Sequence, residues 1–263
     1  MVNVKVRLEN AVKESVKGTF MEPLARRVAD IINPPSPDVI ASRKDDALAY
    51  QMMERILDKS SNCIDIGCNM GDFLTKIIEF APEGHHYAFE PIPHLAERLK
   101  KRFTEVEVKQ VALSDKEGET TFWYVPNAPA LSGLEKRDYT RWGYKNVEPE
   151  PLPIKIKTLD NLLDPDFPVR FIKLDVEGAE MQVFQGANRI LKTYQPYLYF
   201  EYGRSAKDYY ETTPEMMYDF LVKECGYKLY SVRNWLAGVE PYSYEEFVRT
   251  YKGGSAWNFL ASP

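Results

Sequence analysis

Ten residues, Cys63-Ile64-Asp65-Ile66-Gly67-Cys68-Asn69-Met70-Gly71-Asp72, restrict the fold of this chain more than any other stretch. A short apolar run feeds two glycines framed by acids and passes at once into a helical pattern, the way an α/β domain opens a ligand site at the carboxyl end of a strand. Gly67 and Gly71 are expected to turn the backbone sharply and to let it approach a ligand that a Cβ would obstruct. Where a dinucleotide fingerprint, G-x-G-x-x-G, has its first glycine, this chain has Asp65. A carboxylate there repels a pyrophosphate and suits a ligand with an ammonium and a sulfonium, which points to S-adenosylmethionine (SAM) and away from NAD.

A β-α unit downstream, His85-His86-Tyr87-Ala88-Phe89-Glu90-Pro91 reads as a strand ending in an acid. An acid at the end of the second strand can accept both ribose hydroxyls, so Glu90 is the expected ribose ligand. The alternative is that Glu90 only caps the helix that starts at Pro91, where the helix dipole favours a carboxylate.

From Cys63 onward strands and helices alternate: strand 63–67, helix 72–80, strand 85–90, helix 93–103, strand 106–113, and later strand 169–174, helix 179–192, strand 197–202, helix 214–224 and strands near 227–232 and 256–261. Such alternation implies a mostly parallel sheet covered by helices on both faces, with a reversed strand at its closing edge. Residues 114–168 interrupt the pattern. Glu119–Val125 and Ile154–Leu159 alternate as an extra strand pair, and Pro126–Pro153 between them is too long for an ordinary connection, which makes it a lid or a partly disordered loop. Its Leu131, Arg137, Tyr139, Arg141, Trp142 and Tyr144 either stack on an acceptor substrate or anchor the loop to the core. On the first of these readings the loop serves the acceptor and not SAM.

Before the sheet, residues 5–32 carry helical spacing broken by Gly18 and Pro23 and read as two short helices. Asn33-Pro34-Pro35-Ser36-Pro37 follows as an extended connector, and Asp45–Lys59 as one more helix. This 1–59 arm can pack on the core, cover the cofactor or make a homodimer contact, and packing is the default.

At 263 residues the chain fits one α/β domain with a modest extension. Its 34 basic and 39 acidic residues leave a net charge of −5, which disfavours nucleic acid as a partner. No apolar run is long enough to span a bilayer and charges occupy the place of a signal peptide's apolar core, so a cytoplasmic protein without a membrane partner is expected. Cys63, Cys68 and Cys225 lack metal or disulfide spacing. Cys63 and Cys225 read as core residues, and a nucleophilic Cys68 would need a base and an activated thiolate. The three histidines form no metal cluster, and His85 and His86, which begin a strand, read as structural.

The chemistry is expected where Phe171-Ile172-Lys173-Leu174-Asp175-Val176-Glu177-Gly178-Ala179-Glu180 places Asp175 and Glu177 at the end of the fourth strand, beside the first. Glu201, ending the fifth strand, is a third acid at this edge. Methyl transfer is an in-line displacement that needs an aligned acceptor oxygen and a proton sink. Asp175 and Glu201 together could hold Mg²⁺, or one acid could be the base while another orients the substrate. Lys173, on an otherwise apolar strand, is expected to pair with a carboxylate at a strand end. For Glu177 and Glu180, favourable placement in the first turn of a helix is the alternative.

At these residues the chain resembles the FkbM-type SAM-dependent methyltransferases. The resemblance runs over roughly residues 60–260 through Asp65-Ile66-Gly67-Cys68-Asn69-Met70-Gly71, Phe89-Glu90-Pro91, Val111-Ala112-Leu113-Ser114, Ser132-Gly133-Leu134, Thr158-Leu159-Asp160, Lys173 to Glu180 and Trp257-Asn258. It implies a Rossmann-like class I methyltransferase domain over 60–263, with a seven-stranded, mostly parallel sheet and a β-hairpin or lid insertion. It further implies SAM as donor and O-methylation of a sugar, glycan or other small hydroxylated metabolite. The expected SAM-binding set is Asp65, Gly67, Cys68, Asn69, Gly71, Asp72, Glu90 and Pro91, with Val111 and Ala112 flanking the adenine, and the catalytic candidates are Asp175, Glu177 and Glu201. A non-catalytic SAM-binding or scaffolding protein is the alternative, disfavoured by the intact acid set.

Overall fold

The computed structural model describes residues 37–142, 147–203, 208–254 and 256–263. The two early helices and residues 33–36 of the proline connector lie outside the described residues. Leu48–Pro263 form one compact unit. Helix α1 (Pro37–Ile56) begins at the last proline of the connector, earlier than Asp45. Its second half is already core: Ala49, Met52, Met53 and Ile56 are buried.

The main sheet contains β1 (Cys63–Ile66), β2 (His86–Phe89), β3 (Val106–Lys109), β7 (Phe171–Leu174), β8 (Tyr197–Glu201), β9 (Lys228–Ser231) and β10 (Asn258–Ser262), in the order β3-β2-β1-β7-β8-β10-β9. Every pair is parallel except those made by β10. The reversed strand therefore lies one place inside the edge, because β10 inserts between β8 and β9. It can do so because α8 (Val232–Leu236) and α9 (Tyr244–Gly253) carry the chain back after β9. A capping box of Ser243 and Glu246 starts α9, and left-handed Gly254 ends it.

Both β1 and β7 are buried along their whole length, as central parallel strands must be. On one face Ile64, Ile66 and Leu174 meet α5 (Glu180–Gln185), α6 (Asn188–Tyr194) and α7 (Pro214–Tyr218). On the other, Cys63 and Phe171 meet α1, α2 (Asp72–Phe80) and α3 (Pro93–Arg102). Two long runs break where the sequence reading kept them whole. Helix 179–192 stops at Gly186, whose absent Cβ leaves room for the Ser114 carbonyl 2.0 Å from that position. Helix 214–224 passes from α7 into a π-helical turn, Asp219–Glu224.

The 106–113 run also divides. β3 ends at Lys109, while β4 (Ala112–Leu113) joins β5 (Gly118–Tyr124) and β6 (Glu150–Lys157) in a second sheet ordered β4-β6-β5. The expected hairpin is thus one part of a three-stranded sheet, whose Phe122, Ile154 and Ile156 pack on Ile92 and Leu95 at the start of α3. A short helix, α4 (Leu159–Leu162), returns the chain to β7, and Asp160 accepts the Arg189 and Ile190 backbone N–H groups at the start of α6, at 2.7 and 3.1 Å. Among the described residues no helix is long and apolar enough to cross a membrane.

The strand order reverses between β1 and β7, and there the loops leaving the two strands touch. Gly67 has φ +75°, and a Cβ on it would stand 1.8 Å from the Asp175 carbonyl oxygen. Gly254 is also left-handed, at φ +62°, yet has nothing within 4 Å. Gly254→Ala should therefore cost only the left-handed penalty of about 1–2 kcal/mol, and Gly67→Ala more than about 3 kcal/mol. Urea denaturation of the two variants compares them, and equal losses would show that the β1–β7 crossing yields to a methyl group.

Candidate active site

The cleft at the switch point encloses about 710 Å³ of empty space, solvent at its mouth included. Ile66, Gly67 and Asn69 from the β1 loop, Phe89 to Ile92 and Leu95 after β2, and Val111 to Leu113 form its walls. Asp175 to Glu177 and Ala179 close one end, and the insertion adds Phe122, Pro129, Ala130, Ser132 and Leu134.

Eight of the residues expected from sequence line this cleft: Gly67, Asn69, Glu90, Pro91, Val111, Ala112, Asp175 and Glu177. Asp65, Cys68, Gly71, Asp72 and Glu201 do not. Asp65 is fully buried, and the cation it faces is Lys173, whose Nζ lies 3.4 Å from Oδ1. Cys68 is buried with its thiol donating to the Asp65 carbonyl at 3.0 Å, and burial pushes it well above the ordinary thiol range, so no thiolate forms. At Gly71 (φ +78°) an added Cβ would meet Phe103 at 2.6 Å, so this glycine serves the packing of α2 on α3. The two loop glycines do turn the chain sharply, and the Cβ each lacks would strike protein. Asp72 sits exposed in the first turn of α2.

Glu90 is 4% exposed and lines the cleft while serving as a backbone acceptor. Its Oε2 accepts the Asn69 N–H at 2.8 Å and its Oε1 the Ile92 N–H at 2.9 Å. Neither bond caps the helix Pro93–Arg102: Ile92 is its N-cap residue and no side chain caps it, so the carboxylate holds the loop ahead of that helix. The Oε2 contact fixes Asn69, a non-glycine residue at φ +47°, in the bend of the β1 loop.

The segment after β7 carries the second strained turn. Glu177 stands at φ +61° and Gly178 at φ +113°. Glu180 holds this turn from below: its Oε1 accepts the Val176 and Gly178 N–H groups at 3.3 and 3.1 Å. The helix-start role is the one this residue takes, and burial pushes its carboxyl up to about 8. Glu177 instead points to the cleft and pairs with Arg137, whose Nη1 donates to Oε2 at 2.6 Å. Burial raises the Glu177 carboxyl to about 7, with Arg137 pulling the other way. The Glu201 carboxyl is driven well above the carboxylate range by burial and by Asp175, Glu177 and Glu180.

Lys173 donates from Nζ to the Gly67 carbonyl at 2.8 Å and lies 3.9 Å from Asp175 Oδ2. Burial opposes its charge, but Asp65 and Asp175 outweigh burial and hold the ammonium above its ordinary range. The carboxylate expected at a strand end is Asp175, but the closer partner of Lys173 is Asp65, inside β1. Among the described residues no group of three or more His, Cys, Asp or Glu side chains is placed to hold a metal ion, so Asp175 and Glu201 form no Mg²⁺ site with a third such ligand.

Arg137 and Tyr139 anchor the insertion. Both donate to the Leu131 carbonyl, and both side chains are buried. The side chains of Arg141, Trp142 and Tyr144 lie outside the described residues. Two tyrosines after β8 also hold the loop, the Glu135 N–H donating to Tyr210 Oη at 3.2 Å and the Asp138 N–H to Tyr209 Oη at 2.8 Å. The insertion lines the same cleft as Glu90 and Val111. The sequence reading expects the 126–153 loop at the site, and Pro129, Ala130, Ser132 and Leu134 of it line the cleft; that Phe122 of the strand before it does so too was not legible, although the alternation that places Phe122 inward was.

A family model described as "Methyltransferase FkbM domain" matches residues 65–229. The chain belongs to the FkbM methyltransferase family. Among curated relatives, 2-O-methyltransferase NoeI of Sinorhizobium fredii is 27% identical over 168 residues, covering 59% of this chain and 68% of NoeI. Methyltransferase sdnD of Sordaria araneosa is 23% identical, over 51% of this chain and 66% of that protein. AMB antimetabolite synthetase AmbE of Pseudomonas aeruginosa is 27% identical over half of this chain, which spans only 8% of AmbE. The crystal structure of Methyltransferase FkbM from Methylobacillus flagellatus KT aligns with 78% of this chain and 44% of its own, at 14% identity and a TM-score of 0.42. At that score the likeness adds nothing to the strand order already described.

In this FkbM-family site the buried acids load the fold with a definite pH dependence. A carboxyl raised in the folded state stabilises the fold below its unfolded value of 4.5 and loses that contribution as the pH rises through the folded value, about 8 for Glu180. Between pH 6 and pH 9 the parent should lose on the order of 2 kcal/mol relative to Glu180→Gln. Urea unfolding at both pH values measures it, and parallel profiles would mean that Glu180 is ionised in the fold throughout.

Proposed function

We propose that this protein transfers the methyl group of SAM to a hydroxyl of a sugar, glycan or other small hydroxylated metabolite. The observation that carries the reading is the polarity of the cleft. One part is apolar, walled by Phe89, Ile92, Leu95 and Val111, with the Glu90 carboxylate beside it. The other presents the Gly67 and Asp175 loops, whose carbonyl and carboxylate oxygens are acceptors. That set suits adenine, ribose and a cationic amino-acid end, and a pyrophosphate would meet the Asp175 carboxylate at the second part. When bound, SAM supplies an electrophilic methyl carbon. The family membership supports methyl transfer, and the relative NoeI, a 2-O-methyltransferase by name, supports oxygen as the acceptor atom.

The chain's own contribution is alignment and removal of one proton. Glu177 lines the cleft and its carboxyl sits near 7, matched to taking a proton from a hydroxyl at neutral pH. Arg137 orients that carboxylate through Nη1 and also donates to the Glu177 carbonyl at 3.3 Å. Asp175, beside it, faces the cofactor end and carries the acceptor charge there. We place this activity in the cytoplasm, where the three free cysteines remain reduced, with a small-molecule or glycan partner and neither nucleic acid nor membrane.

Calorimetry with SAM and NAD side by side tests the cofactor: heat should appear with SAM, and binding of NAD alone would overturn the reading. Glu177→Gln keeps the shape and removes the base, so kcat should fall by at least roughly tenfold with SAM affinity little changed. A parent-like kcat would move the base to another group.

A further inference from the structure

The fully buried pair Lys173–Asp65 does more than neutralise itself. Asp65 and Lys173 are direct neighbours in the parallel register of β1 and β7. Their side chains are 0% and 8% exposed, whereas Asp175, 3.9 Å from the same ammonium, is 38% exposed and lines the cleft. The ammonium donates to the Gly67 carbonyl at 2.8 Å. Neither carboxylate oxygen of Asp65 accepts a hydrogen bond from the described residues, so the Lys173 charge is what balances it. One cation thus ties together the two loops that meet at the Gly67–Asp175 crossing.

We propose that the Lys173–Asp65 pair is a positioning element: it sets where Gly67 and Asp175 present their oxygen atoms to the ammonium of the cofactor's amino-acid end. This rests on the SAM reading above. Both Gly67 and Asp175 line this part of the cleft, and the buried Lys173 ammonium, held by the Gly67 carbonyl and 3.9 Å from Asp175 Oδ2, shows that these oxygens suit such a group. Because a Cβ at residue 67 would collide with the Asp175 carbonyl, the loops are in contact, and a displacement of either moves the other. Lys173 touches no ligand in this arrangement. It acts through the two residues that do.

Removing Lys173 alone would leave the Asp65 charge buried and unpaired, so the variant to use is Asp65→Asn with Lys173→Met, which deletes both charges together. The probes are S-adenosylhomocysteine, which has the amino-acid end, and 5′-methylthioadenosine, which lacks it, each titrated by calorimetry. In the double variant the dissociation constant for S-adenosylhomocysteine should rise at least about tenfold while that for 5′-methylthioadenosine stays within about twofold. Asp175→Asn, a change at a half-exposed side chain that leaves the buried pair intact, should show the same split. It serves as the test should the double variant not fold. Equal weakening of both probes, unchanged affinity for S-adenosylhomocysteine, or no split in Asp175→Asn would each overturn the proposal. Failure of the parent protein to bind either probe would instead overturn the SAM reading, and this inference with it.

Discussion

The site depends on two backbones passing closer than a Cβ allows, where the loop after β1 crosses the loop after β7 at Gly67 and Asp175. Hydrogen bonding continues past the strand ends at this place: the Asp175 N–H donates to the Ile66 carbonyl at 3.1 Å and the Gly67 N–H to the Phe89 carbonyl at 3.0 Å. The three central strands therefore stay zipped to the edge from which the ligand-facing loops spring. A substituted residue 67 would have to part them, and the cleft would open at its floor.

Polarity beneath this crossing has a cost that the fold offsets unevenly. Asp65 and Lys173 offset one another, and burying such a pair gains little over apolar residues of the same size. Glu177 has Arg137, while the buried Oε2 of Glu180 accepts no hydrogen bond from the described residues. Several acids packed near one another in low dielectric cannot all be ionised, and burial raises Glu177, Glu180 and Glu201 together. The site consequently holds protons at neutral pH. Among these three, Glu177 lines the cleft and has a cation beside it, which is the ground for proposing it as the base.

Local pattern revealed most of the sheet, because buried parallel strands are short apolar runs and their carboxyl ends are marked by acids or glycine. Glu90, Asp175 and Glu201 were legible that way as strand-end positions. What each end faces was not. Asp65 and Glu90 both follow apolar residues, yet one points into the sheet's covered face against Lys173 and the other into the cleft, a difference set by strand pairing some hundred residues apart in sequence. The break after Lys109 escaped notice for a similar reason. Val106 to Leu113 is apolar enough to be one strand, and only the partner β6, far downstream, draws Ala112 and Leu113 away into the second sheet. The reversal of β10 was foreseen, but its place inside the edge depends on a return path through two helices.

The insertion then acquires a meaning that its composition hides. It joins the cofactor side of the cleft through β4, which directly follows Val111, and the reacting side through Arg137 on Glu177. Between these it is pinned by paired backbone bonds of Trp123 with Gly133 and by the Val125 N–H on Ser132 Oγ at 2.9 Å. Gly133 in turn comes close enough that a Cβ there would be 3.7 Å from the Glu177 Cβ and from Tyr210 Oη. A loop fastened at both ends of one cleft transmits displacement between them. On the proposed reading, with adenine at Val111 and Glu177 as the base, one segment of chain thus lines the donor's place and orients the base.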